Sequence, residues 1–207
     1  MPIAVLLAVA LVTAGPVTPP VMATPPGIPS KASAESMLAR LTVAGQQTMS
    51  GYSRALFPHW QIVRGRCDTR ETVLKRDGTA VVVSAACAAT SGRWRSPYDG
   101  ATWTAASDID IDHVVPLAEA WRSGANTWST GRRQVFANDL RRPQLIAVTD
   151  NVNQSKGDQD PSTWQPSQAS YRCTYAKMWI AVKSYWTLRL QPAEKTALQA
   201  MVKTCTA

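Results

Sequence analysis

Apolar positions recur along this chain at several different spacings, and each spacing predicts its own kind of element. Met37, Leu38 and Leu41 share one face of a helix that Ser33 can cap, running to about Val43, with Gly45 as its stop. Residues 51–60 carry no period and end Phe57-Pro58-His59-Trp60, which predicts a structured loop. The β-branched run Val81-Val82-Val83 predicts a buried strand, and Arg93–Arg95 with Ala101–Trp103 bracket a Pro97-Tyr98-Asp99-Gly100 turn, a hairpin signal. From Asp108 to Asp112 aspartate alternates strictly with isoleucine, the period of a strand with one acidic face. Helices are expected over Leu117–Arg122 and Arg132–Leu140, a short apolar strand over Pro143–Val148, and a helix opening at Thr149-Asp150-Asn151 that reaches Asn153 and Lys156. Tyr175, Met178, Trp179, Val182, Trp186 and Leu190 then repeat at helical spacing. Pro192 opens a second helix with Leu198, Met201 and Val202 inward. No repeat and no second domain is visible, and the mixture predicts an α+β fold ending in two helices.

The first 23 residues contain no Asp, Glu, Lys or Arg, and the apolar run Ile3–Ala14 is too short to span a bilayer. That fits a signal peptide, with cleavage expected after Ala23 in Val21-Met22-Ala23; a retained N-terminus is the alternative, and both export the protein. Residues 24–31, rich in Pro and Ser, are expected to be a disordered linker, so the domain is placed at 32–207. Every later apolar segment is interrupted by charge, so no stable membrane insertion is expected once the leader is removed. In an exported chain, Cys67, Cys87, Cys173 and Cys205 are expected to form two disulfides. Three pairings are possible; their positions favour one bond within each half, and zinc ligation is disfavoured because there is no close CxxC pair. The formal net charge of +8 is spread over the chain and narrows the partner to something acidic: nucleic acid, anionic lipid or an envelope polymer.

Asp108, Asp110 and Asp112 on one strand face repel one another unless a cation or an arginine cluster stands opposite; a solvated edge strand is the bland alternative. The stretch Asp112-His113-Val114-Val115-Pro116-Leu117, followed at a strand-and-helix distance by Asn153-Gln154-Ser155-Lys156-Gly157-Asp158, resembles the HNH endonucleases of the beta-beta-alpha-metal group. The longer string from Cys67-Asp68-Thr69-Arg70 through these motifs resembles exported HNH proteins related to the nuclease domain of GmrSD-type restriction enzymes, over roughly residues 50 to 205. The resemblance implies two short antiparallel strands and a helix gripping one divalent metal, Mg2+ first and Mn2+ second. It implies His113 as general base and Asp112 and Asn153 as metal ligands. The middle asparagine of the family pattern is replaced by Gln144, expected to steady the loop and orient the histidine, with Asn138 as a fallback.

An imidazole that titrates near neutrality can take a proton from water, and carboxylate and amide oxygens suit a hard cation. Asp110 is expected to support His113 or a metal-bound water, and Lys156, Arg66 and Arg70, among other arginines, to hold backbone phosphate. A regular strand sends Asp112 and His113 to opposite faces, so a bend near Val114-Val115-Pro116 is expected. His59 reads as a packed structural histidine, Trp179 and Trp186 as core, and Asp158 and Asp160 as weaker site candidates. The function expected is a secreted phosphodiesterase of low sequence specificity acting on nucleic acid, DNA first. The competing expectation is a non-catalytic, basic, disulfide-stabilised module that binds nucleic acid or anionic polymer. Nothing in the sequence fixes the oligomeric state.

Overall fold

The computed structural model describes residues 24–206; the expected leader and its cleavage point lie outside the described residues. The elements in chain order are α1 (Lys31–Arg40), β1 (Ile62–Arg64), β2 (Cys67–Asp68), α2 (Thr69–Asp77), β3 (Thr79–Val83), β4 (Ala89–Arg95), β5 (Thr102–Trp103) and β6 (Ile109–His113). They continue with α3 (Leu117–Arg122), α4 (Thr130–Ala137), β7 (Leu145–Thr149), α5 (Asp150–Lys156), α6 (Arg172–Trp186) and α7 (Pro192–Lys203). The fold is α+β, with small antiparallel sheets, β1-β2, β3-β4-β5 and β6-β7, set among helices.

The β6–β7 ribbon lies between two apolar clusters, and this decides where its charges go. Its register is unbroken, with Asp110 opposite Val148, Ile111 opposite Ala147, Asp112 opposite Ile146 and His113 opposite Leu145. One face carries Ile109, Ile111, Leu145 and Ala147 into a cluster with Val73, Leu74 and Trp94. The other carries Ile146 and Val148 into the main core, built on α6 through Tyr175, Met178, Trp179 and Val182. Directly opposed residues of an antiparallel pair share a face. Asp110 and Asp112 therefore point to the main-core side of the ribbon, not to open solvent.

Several elements depart from the sequence expectation. Ser30, not Ser33, caps α1 by accepting from the Ser33 amide, and the helix ends at Arg40 because Leu41 is extended. Residues 24–30, expected to be a disordered linker, lead into α1 through a turn in which Pro25 is buried and Ile28 packs on the main core. Helix α4 starts two residues early because Ser129 caps it. Strand β3 is exposed rather than buried: it is the outer strand of its sheet, and Val82 is 57% exposed. Asp108 lies in a 3-10 turn before β6, so two aspartates, not three, sit on the strand. Helix α2 was not foreseen at all: only Val73 and Leu74 among its residues are apolar, and its start rests on Asp68, whose carboxylate accepts from the Glu71 amide at 2.8 Å. Buried Asp77 at its end is held by Arg76 and accepts from the Ala147 amide at 2.9 Å, tying α2 to β7.

The cysteines pair within each half, Cys67 with Cys87 and Cys173 with Cys205, with Cα separations of 5.1 and 5.2 Å. The first bond joins β2 to the β3–β4 turn; the second fastens the start of α6 to Cys205, two residues beyond α7.

Trp94 anchors the smaller cluster. It is 1% exposed and donates from Nε1 to the Leu74 carbonyl at 2.8 Å. A Cβ at Gly92 would come within 2.6 Å of its ring, so the sheet needs a glycine there. Trp94→Ala is expected to cost about 3–5 kcal/mol, read as a lower urea midpoint with little change in slope. A variant that unfolds with the wild type would show that the ring fills no closed space.

Candidate active site

A pocket of about 490 Å³ opens beside β6, lined by Ile111, Asp112, His113 and Asn153 among others. Three consecutive strand residues line it because β6 has β7 along one edge only, leaving the other edge to the pocket. The expected bend is therefore absent: the ladder runs regularly through His113, whose ring leaves on the side of the smaller cluster while Asp112 leaves on the main-core side.

Asp112 is 4% exposed, and each of its oxygens has a partner. Its Oδ1 accepts from Lys156 Nζ at 2.8 Å and its Oδ2 from the Tyr98 hydroxyl at 2.6 Å. Lys156, at the end of α5, has no exposed surface and donates also to the His113 carbonyl at 3.0 Å. Burial raises the Asp112 carboxyl and lowers the Lys156 ammonium, and each charge opposes the other's shift. Lys156 was expected to bind phosphate. It is instead the counter-charge of a buried carboxylate and does not reach solvent.

His113 is 4% exposed. Its Nε2 lies 2.9 Å from the Ala137 carbonyl, which can only accept, so Nε2 carries the proton and Nδ1 is the free base. Trp60 stacks on the ring with centroids 5.6 Å apart, and His59 meets it edge-on at 6.2 Å. Burial pushes the imidazole down to about 3, against the pull of the Ala137 carbonyl and with help from the Arg54 charge. The ring is thus neutral across the physiological range.

Asn153 donates from Nδ2 to Asp110 Oδ2 at 3.0 Å. That bond fixes the carboxamide and leaves its Oδ1 without a hydrogen-bond partner among the described residues. Asp110 therefore steadies Asn153 rather than His113, the first of the two partners expected for it. Gln144 is fully buried and brackets Val115, accepting from its amide at 3.1 Å and donating to its carbonyl at 2.9 Å. It steadies the loop after His113, while the ring itself is oriented by Ala137. Asn138 binds Pro58, Gln61, Thr69 and Gln134, holding the loop that carries His59 and Trp60. His59 donates from Nδ1 to the Phe57 carbonyl at 2.8 Å, as a packed residue would.

Other candidates lie elsewhere. Arg70 is spent on Glu71 and on the carbonyls of Ala106 and Ile109, and Arg66 is exposed outside the pocket lining. Asp158 lines the pocket but pairs with Arg122 at 2.6 Å, and Asp160 is a buried turn residue. Trp179 and Trp186 are core, and Trp121 is buried with its Nε1 on the Thr48 carbonyl. Sequence reasoning missed Tyr98, Trp60 and Arg54. The first two sit in segments it treated as turn and loop; Arg54 lines the pocket, exposed and with no ion pair. The Ala137 carbonyl carries no side-chain signal and was not legible.

The donor set fits a hard divalent cation in part. Asp112 retains unused lone pairs, Asn153 offers a free amide oxygen, and both line one pocket. Among the described residues no three His, Cys, Asp or Glu side chains form a complete cage, so water and substrate would have to complete the sphere, as Mg2+ commonly allows.

These features define an antiparallel strand pair followed at once by a helix, with an acid, an imidazole and an amide at one opening. Residues 70–201 match the model for the C-terminal domain of GmrSD restriction endonucleases, and the chain belongs to that family, which gives it a nuclease-related role. It is 63% identical over 188 residues to a protein of Arthroderma benhamiae named "Uncharacterized secreted protein", covering 91% of this chain and 92% of that one. No solved structure matches the chain. That relative and the two disulfides make this a secreted protein, and no helix among the described residues is long and apolar enough to cross a membrane.

Two outcomes test this geometry. Lys156→Met leaves a buried carboxylate without its counter-charge and is expected to cost about 3–5 kcal/mol. Adding Asp112→Asn should recover most of that, and a double variant no more stable than the single would contradict the pairing. As pH falls from 6.5 toward 3 the unfolded chain takes a proton on His113 that the folded protein refuses, so stability is lost over that window. Urea titrations in EDTA should show a slope of at most about 1.4 kcal/mol per pH unit from this group, missing in His113→Gln. Equal slopes in the two proteins would place the ring in water.

Proposed function

We propose that this chain is a secreted, HNH-type endonuclease that hydrolyses phosphodiester bonds with low sequence specificity, DNA first among its substrates. The observation that carries the reading is the meeting of His113, Asp112 and Asn153 at one 490 Å³ opening along the free edge of β6. Family membership supports it.

His113, with Nε2 held by the Ala137 carbonyl, presents Nδ1 to accept a proton from the attacking water. Trp60 on the ring face and Gln144 on the following loop keep that orientation, so little freedom is lost when substrate arrives. A phosphate entering the pocket brings the negative charge that raises the imidazole toward a useful basicity. Arg54, unpaired by any carboxylate among the described residues and lining the opening, is the group that meets that phosphate. Asp112 and Asn153, the latter fixed by Asp110, would hold one divalent cation, Mg2+ before Mn2+. Bound there, the cation supplies charge stabilisation to the phosphate and the departing oxygen.

The Asp112–Lys156 pair favours a second reading, a basic binding module without catalysis, because a purely structural carboxylate needs such a counter-charge. Plasmid nicking separates the two. The nuclease reading expects conversion of supercoiled plasmid with Mg2+ or Mn2+, arrest by EDTA, and loss of roughly a hundredfold or more in rate for His113→Ala with DNA binding retained. Arg54→Ala should raise KM more than it lowers kcat. Salt-sensitive binding by the wild type, with no cleavage in any metal, would reject the nuclease.

A further inference from the structure

A second groove of about 500 Å³ is lined in part by Gln61, the residue that follows Trp60, and we propose that it is a binding subsite for the nucleic-acid strand flanking the scissile phosphate. The inference rests on the nuclease reading for its substrate and on separate residues for its geometry. Besides the apolar Val135 and Leu140, its lining includes Gln61, Gln134, Asn138, Arg141, Arg142 and Tyr185. This is the chemistry of a strand-binding surface: guanidinium groups for phosphates, carboxamides for sugar and base edges, and an aromatic ring.

Its charge is partly available. Arg141 is exposed and its guanidinium has no partner among the described residues. Arg142 lies over the Tyr185 ring at 3.3 Å from its centroid and pairs loosely with Asp139, Nη1 to Oδ1 at 3.7 Å, so its other edge is what a phosphate would meet; Tyr185 itself is 53% exposed. Asp139, the one carboxylate in the lining, is 5% exposed and already accepts from the Arg141 and Arg142 amides and from Trp186 Nε1. It therefore repels a polyanion little.

The groove is also joined to the site. Asn138 accepts from the Gln61 amide at 3.0 Å and donates to the Pro58 carbonyl at 2.8 Å. The loop so held carries Trp60 onto His113, and the Ala137 carbonyl that orients the imidazole precedes Asn138 in the chain. A strand leaving the pocket past Trp60 would reach this groove through Gln61, and its occupant is a polyanion because Arg141 is offered without a partner and the one acid in the lining is already paired with Arg142.

The test is equilibrium binding, which needs no turnover. Fluorescence anisotropy of a fluorescein-labelled single-stranded DNA oligonucleotide is followed in EDTA over a salt series. Arg141→Ala/Arg142→Ala is expected to weaken binding and flatten the slope of log K against log salt by roughly 1.4, about 0.7 for each lost phosphate contact on a single strand. Lys195→Ala/Lys203→Ala on α7 removes the same charge away from the groove and should leave the slope near wild type. Gln61→Glu/Gln134→Glu, which spares the arginines and their packing, should weaken binding too, guarding against a folding defect in the first variant. If both groove variants bind with the slope of the α7 variant, the subsite is overturned, and an acidic protein becomes the better occupant. Absence of plasmid cleavage with the slope change intact would reject the nuclease and leave the groove standing.

Discussion

A carboxylate turned toward a hydrophobic core must find a positive partner or give up its charge. Here the strand pair β6–β7 is buried on both faces, so the side of β6 that bears Asp112 has nowhere solvated to go. Lys156 answers from the last turn of α5, and Tyr98 takes the remaining oxygen. The lysine also grips the His113 carbonyl, so one ammonium pins α5 across the strand end where the acid and the imidazole sit. The pair adds little net stability of its own, since two desolvated ions offset their attraction. What it supplies is register: slide α5 by one residue and the aspartate is left bare.

That constraint explains how adjacent residues on a regular strand serve one opening. Asp112 and His113 leave β6 on opposite sides, as alternation requires, yet the pocket runs along the unpaired edge and is lined by both. Each side has its own support. Tyr98, Lys156 and the Asp110–Asn153 contact hold the acidic side; Trp60, Ala137 and the Asn138 loop hold the imidazole. The disulfides stand further out, one bracing the β2 and β3–β4 region and one closing α6 on α7.

Much of this was legible in the sequence where pattern and packing agree. The Ile/Asp alternation gave β6, the Leu145–Val148 run gave β7, and the spacing from Tyr175 to Trp186 gave α6 with its buried face. The pairing of cysteines within each half followed from their positions. Legibility ended where tertiary contacts override local signal. Helix α2 has too few apolar residues to show a period and stands on Asp68, Asp77 and contacts to β7. The Val81–Val83 run reads as core yet lies on an outer strand with Val82 exposed. Lys156 carries the composition of a surface residue, and only the three-dimensional position of Asp112 reveals that it is buried. Gln144 and Ala137 divide a task that the sequence assigned to Gln144 with Asn138 as the fallback, because a backbone carbonyl leaves no trace in composition.

The central claim is that the acid side and the imidazole side of β6 serve a single phosphate. Anomalous scattering from crystals soaked with Mn2+ and a non-hydrolysable phosphorothioate oligonucleotide tests it most directly. The account expects one ion against the side-chain oxygens of Asp112 and Asn153, with the phosphate between it and Nδ1 of His113. An ion held elsewhere, or a phosphate seated out of reach of that ring, would contradict it.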